Sequence, residues 1–441
     1  MEGISTMPES GREFDVVVVG AGASGIAAAK RLAAARLKIM VVEARNRIGG
    51  RAFTVEPRDP AAPGLALDLG CEWLHSAERN PWTDIARNLD FTIDEKLPDW
   101  SSRVAWLKGA EAEADWQKTR EAFYERLDRA AAEPGDRAAS ELLEPGNKWN
   151  NLLRAISTWA NGAELDRVSV VDYSRYDPSG INWRVLKGYG ALIARYGEDI
   201  PVSLGCAVTR IDHGGRLIRV ETVKGDLLAR AVIVTLPTNV LASGSVRFSP
   251  ALPDKLAAAS GLPLSPVNKL FLRLDGSFEK IPPDSNLVGD AYGDRTGAYQ
   301  IRPHGWPVIM GYYGGSCAAE LEKAGFAAAA DFAAGELAGL FGNDIRTKIS
   351  LLVGSAWSGD PFARGAYSMA LPGHADDRAI LASPVDERLF FAGEACSAAD
   401  FGTAHAAFLT GQAAAERAIA TLDSNRAPVV SSVAPGIPGD I

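Results

Sequence analysis

Gly20-Ala21-Gly22-Ala23-Ser24-Gly25 constrains this chain more than any other stretch. It follows the apolar run Val16–Val19 and opens an alanine-rich run from Ile26 to Leu37. A second apolar run, Ile39–Val42, ends on Glu43. Strand, glycine turn, helix, strand and acid in this order make a dinucleotide-binding unit. Gly20 makes the tight turn, and Gly22 lets backbone approach a pyrophosphate. Gly25 lets the helix pack on the sheet. The helix start, with Ala23 and Ser24, offers free N–H groups and a positive dipole to phosphate. Glu43 accepts hydrogen bonds from ribose hydroxyls. On these residues alone NAD and FAD both stay open.

A chain of 441 residues buries a large core and suggests two domains. The net charge of −9 argues against a nucleic-acid binder and mildly suits a cationic small molecule. Cys71, Cys206, Cys317 and Cys396 are far apart, and the five histidines are scattered, so no disulfide framework and no metal site is expected. The opening MEGISTMPESGREF has no long apolar stretch, and no run is long enough to cross a bilayer. The expectation is a cytoplasmic protein without membrane contact; whether it forms a homo-oligomer stays open.

Past the first unit the texture changes. Ala112–Ala132, Ala138–Leu143 and Trp149–Ala160 read as helices, amid dense tryptophans expected mainly in the core or between domains. A hairpin is expected around His213-Gly214-Gly215, and a buried strand over Ala231–Thr235. More strands follow at Lys269–Leu274, Gly297–Arg302, Val308–Gly311 and Ile349–Val353, with one helix over Ala324–Phe341. The strand Leu389–Phe391, closing on Gly393-Glu394, and a helix over Thr403–Leu422 return to the nucleotide pattern.

Glu43 is followed by Ala44-Arg45-Asn46-Arg47-Ile48-Gly49-Gly50-Arg51. The glycine pair lets backbone pass close to a second polyanionic surface, and Arg51 can bind phosphate or brace the loop. Here the chain resembles the flavin-containing amine oxidase superfamily, of monoamine and polyamine oxidase type, marked by GxGxxG, an acid and R-x-G-G-R. The segment Asp68-Leu69-Gly70-Cys71-Glu72-Trp73-Leu74-His75, with Asn80-Pro81 beyond it, is most similar to acetylpolyamine and spermine oxidases. Thr235-Leu236-Pro237, Phe391 to Ala395 and Gly402-Thr403-Ala404-His405-Ala406-Ala407 resemble further flavin-domain segments.

The resemblance implies non-covalent FAD, because the residue directly before Tyr367 is Ala366 and not a cysteine. It implies an α/β fold: a discontinuous Rossmann-like FAD domain (13–75, 200–255, 385–423) and an inserted α+β substrate domain (76–199, 256–384), with flexible ends at 1–12 and 424–441. It places Leu69, Gly70, Cys71, Val208, Thr235, Pro237, Gly393, Glu394, Thr403, Ala404 and Ala407 at the cofactor, beside the glycine-turn and Arg51-loop residues. Lys269 would reach flavin N5 through a water, with Trp357 and Tyr367 as walls. Glu72 and His75 would line the entry, and Thr403 stands where monoamine oxidases carry a second cage tyrosine. The implied reaction is hydride transfer from the carbon beside an amine nitrogen to flavin N5, imine hydrolysis, and reoxidation by dioxygen to hydrogen peroxide. A polyamine is the first-choice substrate. An amino acid or N-heterocyclic amine is the alternative, and a flavin-binding scaffold or sensor without turnover is the second.

Overall fold

The computed structural model describes residues 12–58, 64–98, 100, 105–276 and 282–424. The flexible ends expected at 1–12 and 424–441 lie almost wholly outside these. The valine run forms the strand Arg12–Val19 at the centre of an eight-stranded sheet. Ile39–Val42 and Gly225–Val234 flank it, both parallel to it. A central parallel strand is covered on both faces, so an unbroken valine run suits it better than alternation would. Val17 and Val19 face one core with Leu241 and Phe391, and Val16 and Val18 face the other with Ala28, Leu32 and Ala415.

The long strand Gly225–Val234 divides its second edge. Its first half pairs antiparallel with Ile218–Thr222, closing the expected hairpin with Val208–Asp212. Its second half pairs parallel with Leu389–Phe391, so the chain does return to the nucleotide sheet near its end. The helices Ala23–Ala34 and Ala404–Ser424 then lie against each other on one face. Their contact is close: a Cβ on Gly411 would stand 2.2 Å from the Ser24 carbonyl oxygen.

Helices Pro253–Gly261 and Asp377–Ala382 pack through Ala258, Ala259 and Leu381 into the main sheet's core. The expected limits 255/256 and 384/385 cut through that packing, and we propose that the nucleotide unit takes in both helices. At the other limit, Trp73–His75 pairs with Asn182–Val185 in a separate three-stranded sheet, away from the main one.

The second sheet is antiparallel, in the order Ser285–Val288, Ala298–Ile301, Val308–Gly314, Val267–Leu274, Ile349–Gly354. One face is covered by Gly315–Ala324 and Phe326–Phe341. The second is the helix expected over Ala324–Phe341, starting only at Phe326 because Gly325 at φ +91° interrupts the run, and the first was not expected. The opposite face meets helix Asn150–Ala160 across a cavity. Helix Ala105–Ala131 is kinked at Gly109 and sends Trp116, Arg120, Tyr124 and Leu127 to the cavity from one side, at helical spacing. Trp82, Trp116, Trp149 and Trp159 are core residues as expected, and Trp116 and Trp159 line the cavity as well, together with Trp100. No helix among the described residues is long and apolar enough to cross a membrane.

Candidate active site

The glycine turn is built by close approaches. Gly20 has φ +104°, and a Cβ there would stand 2.5 Å from Thr235 Oγ1. A Cβ on Gly25 would stand 1.9 Å from the Gly20 carbonyl oxygen. Glu43 is buried, and its two oxygens accept from the backbone N–H groups of Ala21 (2.8 Å) and Arg45 (2.9 Å). The Arg47–Arg51 loop lies directly on this turn, with Gly49 N–H donating to Ala21 O at 2.8 Å.

Every expected site residue except Gly25 lines one cavity of about 1080 Å³. Gly25 sits behind it, because the space beside its Cα is filled by the Gly20 carbonyl; its part is helix packing rather than cofactor contact. The cavity runs from Val208 and Glu43, past Gly22 and Ser24, to Lys269 and Tyr367. Ser24 Oγ is buried at the helix start with no hydrogen-bond partner among the described residues, and the face of Gly22 is open among them save for Gly50 Cα. An orphan hydroxyl and an uncovered glycine at a helix N-terminus fit a dinucleotide pyrophosphate.

Two of the expected cofactor residues are engaged elsewhere. Arg45 makes a two-point contact with Asp360 (2.7 and 3.2 Å). Glu394 gives one oxygen to Arg51 (2.8 Å) and the other to Ser368 Oγ (2.6 Å) and Gly402 N–H (3.0 Å). Burial opposes the Glu394 charge, yet Arg51 and Ser368 hold its pKa below the ordinary value. Glu394 therefore aims Arg51, whose same nitrogen also donates to Ala366 O at 2.7 Å.

Ser368 continues this network to Arg378, and Arg378 grips Asp172 at 2.6 and 2.9 Å. Both ends of that pair are almost wholly buried, and the Arg378 guanidinium lies 3.7 Å from the Phe401 ring centroid. Asp172→Asn, which strands the Arg378 charge, is expected to cost about 3–5 kcal/mol of stability. Thermal unfolding of the variant checks this; an unchanged Tm would contradict it.

The far end carries the chemistry-bearing groups. Lys269 is buried on strand Val267–Leu274, and its Nζ donates to Glu72 Oε2 at 2.7 Å. Burial disfavours the ammonium, but Glu72 and Asp68 outweigh it and raise the Lys269 pKa. Burial likewise disfavours the Glu72 carboxylate, and Lys269 and Arg184 override it downwards. The pair is therefore fully ionic. Trp357 is fixed by its Nε1–H to Leu69 O (2.9 Å) and its N–H to Asn268 Oδ1 (3.1 Å). Gly70 admits the close approach of the Arg51 carbonyl, since a Cβ there would stand 1.7 Å from that oxygen. Tyr367 donates its hydroxyl to Trp159 O (2.6 Å) and lies 3.1 Å from the Tyr312 hydroxyl.

Thr403 caps the last helix: its Oγ1 accepts from Ala406 N–H and donates to Asp400 O. With its hydroxyl so engaged, Thr403 lines the cavity as a wall. Cys71 faces the cavity, but burial pushes its thiol up to about 12, so it is no thiolate nucleophile.

His75 Nδ1 lies 2.6 Å from Asn182 Oδ1, and Asn182 Nδ2 donates to Gly180 O. The amide is thus oriented with its oxygen toward the ring, which puts the proton on Nδ1 and leaves Nε2 as an acceptor. Burial lowers the His75 pKa from 6.5 to about 4. The unfolded chain binds this proton near pH 6.5 and the folded protein does not. This contribution to stability is therefore complete above pH 6.5 and declines toward pH 4, by about 3 kcal/mol. His75→Gln should flatten that part of the profile in urea unfolding at pH 7 and 4.5; an unchanged slope would remove His75 as its source.

Sequence reasoning missed Tyr312, Trp159, Asn182, Asn286 and Gln300, all of which line the cavity. The one available signal was a glutamine inside the otherwise apolar strand Ala298–Ile301.

Residues 169–419 match the profile of the flavin containing amine oxidoreductases, and residues 18–89 match that of NAD(P)-binding Rossmann-like domains. The chain belongs to the flavin-containing amine oxidoreductases. It is 30% identical to probable polyamine oxidase 4 of Arabidopsis thaliana, over 91% of this chain and 86% of the other. In fold it is similar to a putrescine oxidase mutant with redesigned cofactor binding, at TM-score 0.77 and 17% identity, covering 93% of this chain and 99% of that one. Cyclohexylamine oxidase from Brevibacterium oxydans IH-35A gives TM-score 0.76 at 20% identity with the same coverages. As a member of this family the chain is a flavin-dependent amine oxidoreductase, and its cofactor is FAD.

Proposed function

We propose that this enzyme oxidises the carbon next to the nitrogen of a polyamine or related amine, giving an imine that water hydrolyses to a carbonyl compound and a smaller amine. The observation that carries the reading is the ionic Lys269–Glu72 pair, buried under aromatic walls in the same cavity as the dinucleotide cradle. Bound FAD supplies the two-electron acceptor, and dioxygen takes the electrons onward as hydrogen peroxide.

The amine reacts with its nitrogen unprotonated, since the lone pair stabilises the developing iminium. Tyr367, Tyr312 and Trp357 form walls that exclude bulk water and favour the neutral amine over its ammonium form. Lys269 spends one N–H on Glu72 and keeps two for a water at the reacting centre. Its positive charge is secured by Glu72, so it stays available as a fixed field. His75 Nε2, neutral in the working range, accepts a hydrogen bond from the entering amine.

The polyamine assignment is supported by the polyamine and putrescine oxidases among the similar proteins. Arg45, Arg51 and Lys269 are each already held by a carboxylate, so an amino-acid substrate would have to place its own carboxylate on Arg120 or Arg364, which also line the cavity. The pH profile tests the free-base requirement. kcat/KM should rise about tenfold per pH unit below the substrate amine's own pKa. A flat profile through that range would contradict it.

A further inference from the structure

We propose that the side chains of Gln300 and Asn286 form a subsite for a second N–H-bearing group of the substrate, several methylenes from the carbon that is oxidised. The inference rests on the amine-oxidation reading above and adds what the cavity selects for.

The floor of the cavity is one face of the antiparallel sheet, and strand register fixes its layout. Lys269 stands opposite Tyr312, Tyr312 opposite Ala298, and Ala298 opposite Val288. Two residues further along, Met310 stands opposite Gln300, and Gln300 opposite Asn286. Two residues along a strand is about 7 Å and two strands across is about 10 Å, so Gln300 lies about 12 Å from Lys269 at the backbone. Residues two apart point to the same face, so both rows address the same cavity, and every residue of the two rows lines it.

Gln300 is 3% exposed, and its Oε1 has no hydrogen-bond partner among the described residues. A buried carbonyl left in this state costs about 1–3 kcal/mol unless something donates to it. Asn286 beside it turns Nδ2 to Asp284 O (3.2 Å), which directs its own oxygen the opposite way. Directly opposed strand residues have Cβ atoms about 5 Å apart, close enough for two amide oxygens to share one donor group. An amide oxygen only accepts, so the complementary group carries N–H: a primary ammonium or a secondary amide. On the strand between those of Lys269 and Gln300, Met310 and Tyr312 present apolar surface suited to a methylene spacer. The nearby carboxylate of Glu72 is already engaged by Lys269.

The test uses the FAD-loaded enzyme with three probes of one chain length: an α,ω-diamine, its mono-N-acetyl derivative and the n-alkylamine. In Gln300→Leu, kcat/KM for the diamine should fall about tenfold to a hundredfold, while the n-alkylamine changes by less than about threefold. The comparison within one variant cancels any loss of folding or FAD loading. A parallel readout is the rise in Tm that the diamine produces without oxygen, which the Leu variant should lose. Gln300→Glu should favour the diamine over the acetylated probe if ammonium is the group bound; equal losses for both probes in Gln300→Leu identify a shared N–H. A variant that treats diamine and n-alkylamine alike overturns the subsite and leaves Gln300 merely holding a water. If the n-alkylamine and both other probes go unoxidised by the wild type while the diamine still raises Tm through Gln300, the subsite stands and the amine-oxidation reading falls.

Discussion

Lys269→Met should yield a folded, yellow, FAD-loaded protein whose reduction by amine, or whose reoxidation, is slowed on the order of a hundredfold or more. The expectation follows from what the methionine removes. Lys269 is the buried cation beside the reacting end of the cavity, and its charge is secured by Glu72 at 2.7 Å. Methionine keeps the apolar stem and deletes the ammonium, so walls and packing stay close to native. It also leaves Glu72 buried beside a neutral neighbour, which costs about 3–5 kcal/mol unless the carboxyl takes up a proton. The double variant Lys269→Met with Glu72→Gln separates the two effects. Its Tm should recover toward the wild-type value while its reduction stays slow. Stopped-flow absorbance and thermal unfolding read the two quantities. Wild-type rates in the single variant would remove Lys269 from the chemistry.

Gly22→Ala should divide folding from cofactor binding. Gly22 has φ −76° and ψ −176°, a backbone state open to any residue. A Cβ there meets only Gly50 Cα, at 3.9 Å, which is ordinary contact. The apo protein should be as stable as wild type, or up to about 1 kcal/mol more stable through lost unfolded-chain entropy. Affinity for FAD should nevertheless drop by about tenfold or more, because the methyl occupies the surface that the pyrophosphate approaches. Gly25→Ala is the contrast: its Cβ would collide with the Gly20 carbonyl oxygen at 1.9 Å, so fold and cofactor should be lost together. Unchanged FAD affinity in Gly22→Ala would show that the phosphates lie elsewhere.

What the sequence disclosed is what local chain geometry dictates. The turn at Gly20, the acid at Glu43 and the Gly49-Gly50 pair lie close together in the chain, and each has a physical reason for its residue type. The return at Gly393-Glu394 was legible because a strand, a glycine and a helix repeat the same local pattern. What stayed hidden depends on register and distant packing. Tyr312 and Gln300 face the cavity only because of how three strands align, and a one-residue shift would turn them away. Asp172 and Arg378 are 206 residues apart, and no local feature pairs them. The Thr403 hydroxyl caps the last helix because it stands just before it, a role that its matching motif position did not disclose.

The central claim is that this cavity oxidises amines at bound FAD. The most direct measurement is a peroxide-coupled screen of the purified yellow protein against polyamines, monoamines, cyclic amines and amino acids. The expected result is peroxide with amines, polyamines foremost, and none without substrate. No peroxide with any amine would contradict it.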